Sequence, residues 1–161
     1  RERCDAAISP EYGSQTMKMP IASVRLDSGL CLLGVHSPPP APIDATGLKP
    51  YIEVLVKLID SGGMSEGFGV CRQGDPVMVI GDLNAVPDSW AYRQLVGSGL
   101  RDPRGDSGLF GLTWPNGGGF IDFPLMRLDH VFAGDVKVTR VRSIHLPDSD
   151  HSGIKVWLRS D

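Results

Sequence analysis

The 161-residue sequence contains no apolar run near the ~18 residues needed for a membrane-spanning helix. It also lacks an excess of positive charge. Sixteen Lys and Arg stand against 19 Asp and Glu, a net charge of −3. Bulk electrostatics therefore gives no attraction for a polyanion, and a nucleic-acid surface would need a local basic patch. Arg140 and Arg142 are the only candidates, and they equally suit a solvated strand face. Cysteine is scarce as well. Cys4, Cys31 and Cys71 are scattered without C-x-x-C spacing, which excludes a zinc knuckle and a disulfide framework but leaves room for one bridged pair. Only four glutamates occur, Glu2, Glu11, Glu53 and Glu66, and none ends an apolar strand. No signal peptide, internal repeat or linker is visible.

What the chain does contain is a globular composition, 41% hydrophobic, at a length suited to one domain. Its centre is Val77-Met78-Val79-Ile80-Gly81-Asp82-Leu83-Asn84. Four apolar residues in a row suit a strand covered on both faces. Gly81 lets something approach the backbone, and in an extended chain Asp82 and Asn84 point the same way. A carboxylate and an amide at the end of a buried strand suit a metal-bound or phosphate-bound reactant. The same residues also suit a plain turn.

Around this stretch the pattern alternates between strands and helices. Residues 1–20 lack periodicity and read as an irregular lead-in, so residues 21–161 form the domain. Strands are expected at Ile21–Leu26 and Leu30–Val35, joined by the hairpin signal Asp27-Ser28-Gly29. Pro38-Pro39-Pro40 ends the second strand and leaves His36 at its tip. From Gly47 to Asp60 a helical stripe of Tyr51, Ile52, Val54, Leu55, Leu58 and Ile59 follows. A short helix spans about Ser89 to Val96, with Asp88 or Ser89 as cap and Gly97 as stop. Residues 99–127 form a long loop rich in glycine and proline, and a loop of that length in a compact domain is usually functional. Strands at Leu128–Ala133, Val136–Leu146 and Ile154–Arg159 close the chain.

Polar residues recur at strand ends: His36, Asp82 and Asn84, Asp129-His130, and Ser149-Asp150-His151-Ser152. Gathered at one sheet edge, such groups suit metal-assisted hydrolysis. Carboxylates hold a hard cation such as Mg²⁺, and imidazoles shuttle protons or contact an anion. Asp129 sits inside an apparently buried strand and needs a partner, for which His151 is the natural choice. His130 and His145 read as structural members of strand faces.

Gly81-Asp82-Leu83-Asn84, then Arg127-Leu128-Asp129-His130-Val131-Phe132, then Ser149-Asp150-His151 resembles the endonuclease/exonuclease/phosphatase superfamily, with its DNase I-like fold. His36-Ser37-Pro38-Pro39-Pro40 and Thr113-Trp114-Pro115 resemble a bacterial, VanJ-like branch. The resemblance covers about residues 20–160 and implies an α/β (α+β) fold, a β-sandwich with flanking helices. It implies that Asp82 orients or deprotonates water and that Asn84 holds the nucleophile or a phosphate oxygen. Asp129 would pair with His151, which stabilises the phosphoryl oxygen, and His36 would contact the scissile phosphate or leaving group. Asp150 would help hold the metal, Mg²⁺ or Mn²⁺, and Trp114 would line the cleft or the core.

The family's amino-terminal Asn strand and Gln-Glu motif are not found here. With Arg1 in place of an initiating Met, this makes an amino-terminally truncated fold the expectation. The expected activity is a phosphatase acting on a small or lipid-linked phosphate, with localisation at the bacterial cell envelope. Membrane association would run through a segment this chain lacks. The alternatives are a nuclease, against which the acidic charge counts, and a non-catalytic domain without a complete metal site.

Overall fold

The structure, a computed structural model, describes residues 4–8, 21–40, 47–60, 70–104, 111–116 and 123–159, the first of these segments as backbone. Among the described residues nine elements follow in order: β1 (Cys4–Ile8), β2 (Ala22–Leu26), β3 (Cys31–His36), α1 (Leu48–Asp60), β4 (Val77–Asp82), α2 (Trp90–Gly97), β5 (Asp129–Gly134), β6 (Val138–Ile144) and β7 (Gly153–Leu158). Strands β1 to β5 form one sheet in sequence order, and β6 pairs with β7 in a second. This is a mixed α+β sandwich.

Strand β4 lies between β3, which runs parallel to it, and β5, which runs antiparallel. A parallel neighbour requires a crossover, and α1 supplies it. Side chains alternate along β4, so Val77 and Val79 join one apolar cluster while Met78 joins the other. The first cluster holds Tyr51, Ile52, Leu55, Leu58 and Ile59 of α1, five of the six residues of the apolar stripe. The sixth, Val54, packs partly buried against it. The second cluster lies between the sheets, with Val131 and Ala133 of β5 and, at its margin, Val141 of β6 and Val156 of β7. The four-residue apolar run in β4 thus reflects covering on both faces, by helices on one and by the second sheet on the other.

Several boundaries differ from the sequence reading. Within residues 1–20, expected to be irregular, Cys4–Ile8 forms the edge strand β1, antiparallel to β2. An edge strand takes its order from the neighbour's hydrogen bonds and needs no periodicity of its own. In α2, Ser89 is the N-cap, accepting from the Tyr92 amide. Its stop, however, is not Gly97, which lies in the last helical turn. Gly99 follows the Ser98 cap with φ +87°, the left-handed conformation a chain uses to leave a helix. Cys31 and Cys71, both buried, form a disulfide with Cα atoms 5.5 Å apart, tying the start of β3 to the chain entering β4. Residues 105–110 and 117–122 of the expected 99–127 loop lie outside the described residues.

Candidate active site

Register places the polar strand ends side by side. His36 pairs with Asp82 across the parallel β3–β4 ladder, and Asp82 pairs with Asp129 across the antiparallel β4–β5 ladder. Laterally paired residues share a face of the sheet. The row His36–Asp82–Asp129 therefore crosses three adjacent strands on the face that looks toward β6 and β7. His151, two residues before β7, reaches the row from the second sheet.

Gly81 makes this row possible. Its φ is +146°, and a Cβ there would lie 1.9 Å from the Val35 carbonyl oxygen. The approaching group is thus the neighbouring strand's own backbone. Beyond Asp82 the chain does not remain extended. Asn84 takes φ +45°, and its amide N–H donates to Asp82 Oδ1 at 2.7 Å. This is an Asx turn, so Asn84 does not simply repeat the direction of Asp82. Asn84 Nδ2 instead donates to the Ser37 carbonyl at 2.8 Å, stitching the β4 exit to the β3 exit.

His151 Nδ1 lies 2.7 Å from Asp129 Oδ2, and a carboxylate there makes Nδ1 the protonated nitrogen. Its Nε2 faces Asp82 Oδ2 at 3.9 Å, and His36 Nε2 lies 3.7 Å from that same oxygen. Burial alone lowers the His151 pKa. The hydrogen bond and charge of Asp129, with Asp82 and Asp150, outweigh it and hold the imidazole above its ordinary 6.5. Burial raises Asp82, and the neighbouring Asp129 charge raises it further, while the Asn84 amide and the two imidazoles pull against them.

Asp82, Asp129 and His151 each offer a ligand atom, all within 4.8 Å of one another. This group can hold a metal ion. Two carboxylates crowded together in a half-buried site, one with a raised pKa, are the condition that a divalent cation relieves. Asp150 is exposed and stands outside this group, although its charge reaches His151. Trp114 is half-buried. Its backbone bridges Met126, and its neighbour Thr113 lies beneath Asp129, with Oγ1 accepting from the Leu128 and Asp129 amides at 3.1 Å.

The model of the endonuclease/exonuclease/phosphatase family matches residues 30–151. The chain belongs to that family. No curated protein sequence matches it. Among solved structures it is similar to the mannosyl-6-phosphatase Bt3783 of Bacteroides thetaiotaomicron, at 15% identity and a TM-score of 0.66, over 97% of this chain and 68% of that one. It is also similar to D. rerio TDP2 complexed with single strand DNA product, at 18% identity and 0.66, over 98% and 69%. A third is the inositol polyphosphate 5-phosphatase domain of SPsynaptojanin, in complex with inositol (1,4)-bisphosphate and calcium ion. It shares 14% identity and a TM-score of 0.63, over 96% of this chain and 53% of that one. These likenesses establish the DNase I-like fold, and the chain spans about two thirds or less of each structure.

Within this family member, several residues that support the site carry no chemical signature in sequence. Arg127 and Asp102 form a buried ion pair at 2.7 Å just ahead of Asp129, and the Tyr92 hydroxyl also donates to Asp102. His130 is buried in β5, with Nε2 2.7 Å from the Ala85 carbonyl and its ring stacked on Phe132. That contact holds the turn after Asn84. Asn116, at the head of a glycine run, hydrogen-bonds to the segment around His151. Only its position next to Thr113-Trp114-Pro115 could have drawn attention to it.

Proposed function

We propose that this family member is a divalent-metal-dependent phosphoesterase that hydrolyses a small or lipid-linked phosphate ester by in-line attack of water. The observation that carries the reading is the convergence of His36, Asp82, Asp129 and His151 on one sheet edge. Asp82, with its raised pKa, orients the attacking water and takes its proton. His151, fixed by Asp129, directs Nε2 at the phosphoryl oxygen where charge builds up. His36, exposed at the mouth, contacts the leaving group. One Asn84 amide hydrogen is committed to Ser37, and the other is available to a phosphate oxygen. The carboxylates of Asp82 and Asp129, with Asp150 at their margin, would hold Mg²⁺ or Mn²⁺, which would supply neutralisation of charge on the phosphoryl group.

A groove of about 340 Å³ beside Asn84, walled by Leu48, Val86, Trp90, Met126 and Leu128, supports an apolar substituent on the phosphate. The Cys31–Cys71 disulfide supports an oxidising compartment such as the cell envelope. The nuclease reading draws on Arg140 and Lys155, whose charges lie 5.3 and 5.0 Å from the Trp157 ring centroid. Cleavage of nitrophenyl phosphomonoesters and phosphodiesters, compared with plasmid digestion across a salt series, tests both readings. Steeply salt-sensitive digestion would favour the nuclease. Indifference to nucleic acid with turnover of the monoester would favour the phosphatase.

A further inference from the structure

Asn116 directs its backbone N–H and both ends of its side-chain amide at one short stretch of chain. Its backbone N–H donates to the Asp150 carbonyl at 2.7 Å. Its Nδ2 faces the carbonyls of Leu146, Ser149 and His151 at 3.1, 3.1 and 3.2 Å. Its Oδ1 accepts from the Ser152 hydroxyl at 3.2 Å and meets His145 Nδ1 at 3.0 Å. Three carbonyls can only accept, so the nitrogen must be the amide atom that faces them. Two amide hydrogens serve three acceptors, which leaves none for solvent.

The same segment reaches the other half of the acid–histidine pair. The Thr113 carbonyl accepts from the Ser152 amide at 2.8 Å, and Thr113 Oγ1 accepts from the Leu128 and Asp129 amides. Residues 113 and 116 thus join the start of β5 to the turn before β7, the two elements that carry Asp129 and His151. Asp148 in that turn has φ +60°, a left-handed conformation that Asp adopts more readily than most residues. The Asn116 amide engages the carbonyls of Leu146 and Ser149 on either side of it.

We infer that Asn116 is a positioning residue, an amide clamp whose contacts with residues 145–152 hold His151 in register with Asp129. Its effect on rate rests on the phosphoesterase reading, while the clamp itself does not.

Asn116→Asp is isosteric but turns a carboxylate oxygen toward three carbonyls. In the metal-loaded protein it should lower kcat about tenfold or more, with KM within about twofold, since misplacement by 1 Å costs up to about 100-fold. With only four histidines in the chain, 15N-labelled imidazoles are readily assigned. The His151 Nδ1–H resonance should broaden or move toward that of a free imidazole in the variant. In the unmutated protein the Asn116 side-chain amide protons should exchange with water at least about tenfold more slowly than those of a free amide. Free exchange there, or an unchanged His151 resonance in folded Asn116→Asp, overturns the clamp. If the variant does not fold, the exchange rate in the unmutated protein decides. A protein that hydrolyses no phosphate ester yet shows slow exchange and the resonance change retains the clamp and loses only the reading of activity.

Discussion

Replacing His130 with Gln should flatten the acid side of the stability–pH curve. Burial is the main cause holding the His130 imidazole down, to about 4 from its ordinary 6.5. Nε2 must carry the proton to donate to Ala85, and among the described residues Nδ1 is buried without a side-chain partner, so burial disfavours a second proton more than the Asp102 charge and the Arg127 backbone favour it. The folded pKa lies below the unfolded one. Above pH 6.5 both states are neutral and the group contributes no penalty. As pH falls below 6.5 the unfolded chain takes up a proton that the fold refuses until about pH 4. At pH 5 this costs about 2 kcal/mol, and below pH 4 the loss levels off near 3 kcal/mol. His151, raised in the fold, acts in the opposite direction and is common to both proteins. Gln keeps an N–H within reach of the Ala85 carbonyl and does not titrate. It loses the ring contacts with Phe132 and Tyr92, so His130→Gln should be less stable at pH 7. Urea unfolding at pH 7 and pH 5 should show the unmutated protein losing about 2 kcal/mol more than the variant over that interval. Parallel losses would show that His130 takes up its proton in the fold, and the reasoning would fail.

Gly81→Ala should prevent native folding, because its Cβ would sit 1.9 Å from the Val35 carbonyl, one pair from the end of the β3–β4 ladder; a native-like circular dichroism melt contradicts this. Cys31→Ser should lower stability by about 4 kcal/mol, the loop-closure estimate for a bridge across 40 residues, read by denaturant unfolding against the disulfide-bonded parent protein. Asp129→Asn should lower kcat by about 100-fold or more, because it removes the charged acceptor that orients His151, and its melting temperature should change little. Asp150→Ala should lower turnover by a comparable factor through weakened metal binding and be partly rescued by excess Mg²⁺. A normal rate at low metal would remove Asp150 from the site.

Local structure was largely legible in the sequence, because apolar periodicity is a local signal. The α1 stripe, the hairpin at Asp27-Ser28-Gly29 and the buried run of β4 all follow from it. The pairing of Asp129 with His151 was also legible, from the cost of an unpaired carboxylate in an apolar strand. What the residues did not reveal is register. His36, Asp82 and Asp129 lie far apart in sequence, and only the β3–β4–β5 ladders align them in one row. The disulfide was hidden for the same reason, since 40 residues separate its cysteines and the crossover between β3 and β4 brings them together. Asn116 was obscured by the glycine run after it, which reads as loop. An extended path would point Asp82 and Asn84 the same way, whereas φ +45° at Asn84 turns the chain.

Turnover of a nitrophenyl phosphomonoester by the full-length protein tests the central claim most directly. Hydrolysis should appear with Mg²⁺ or Mn²⁺, vanish with EDTA, return on adding the metal, and fall by orders of magnitude in His151→Ala of unchanged fold. No turnover of monoester or diester under any divalent ion, or a His151→Ala rate equal to that of the unmutated protein, would contradict it.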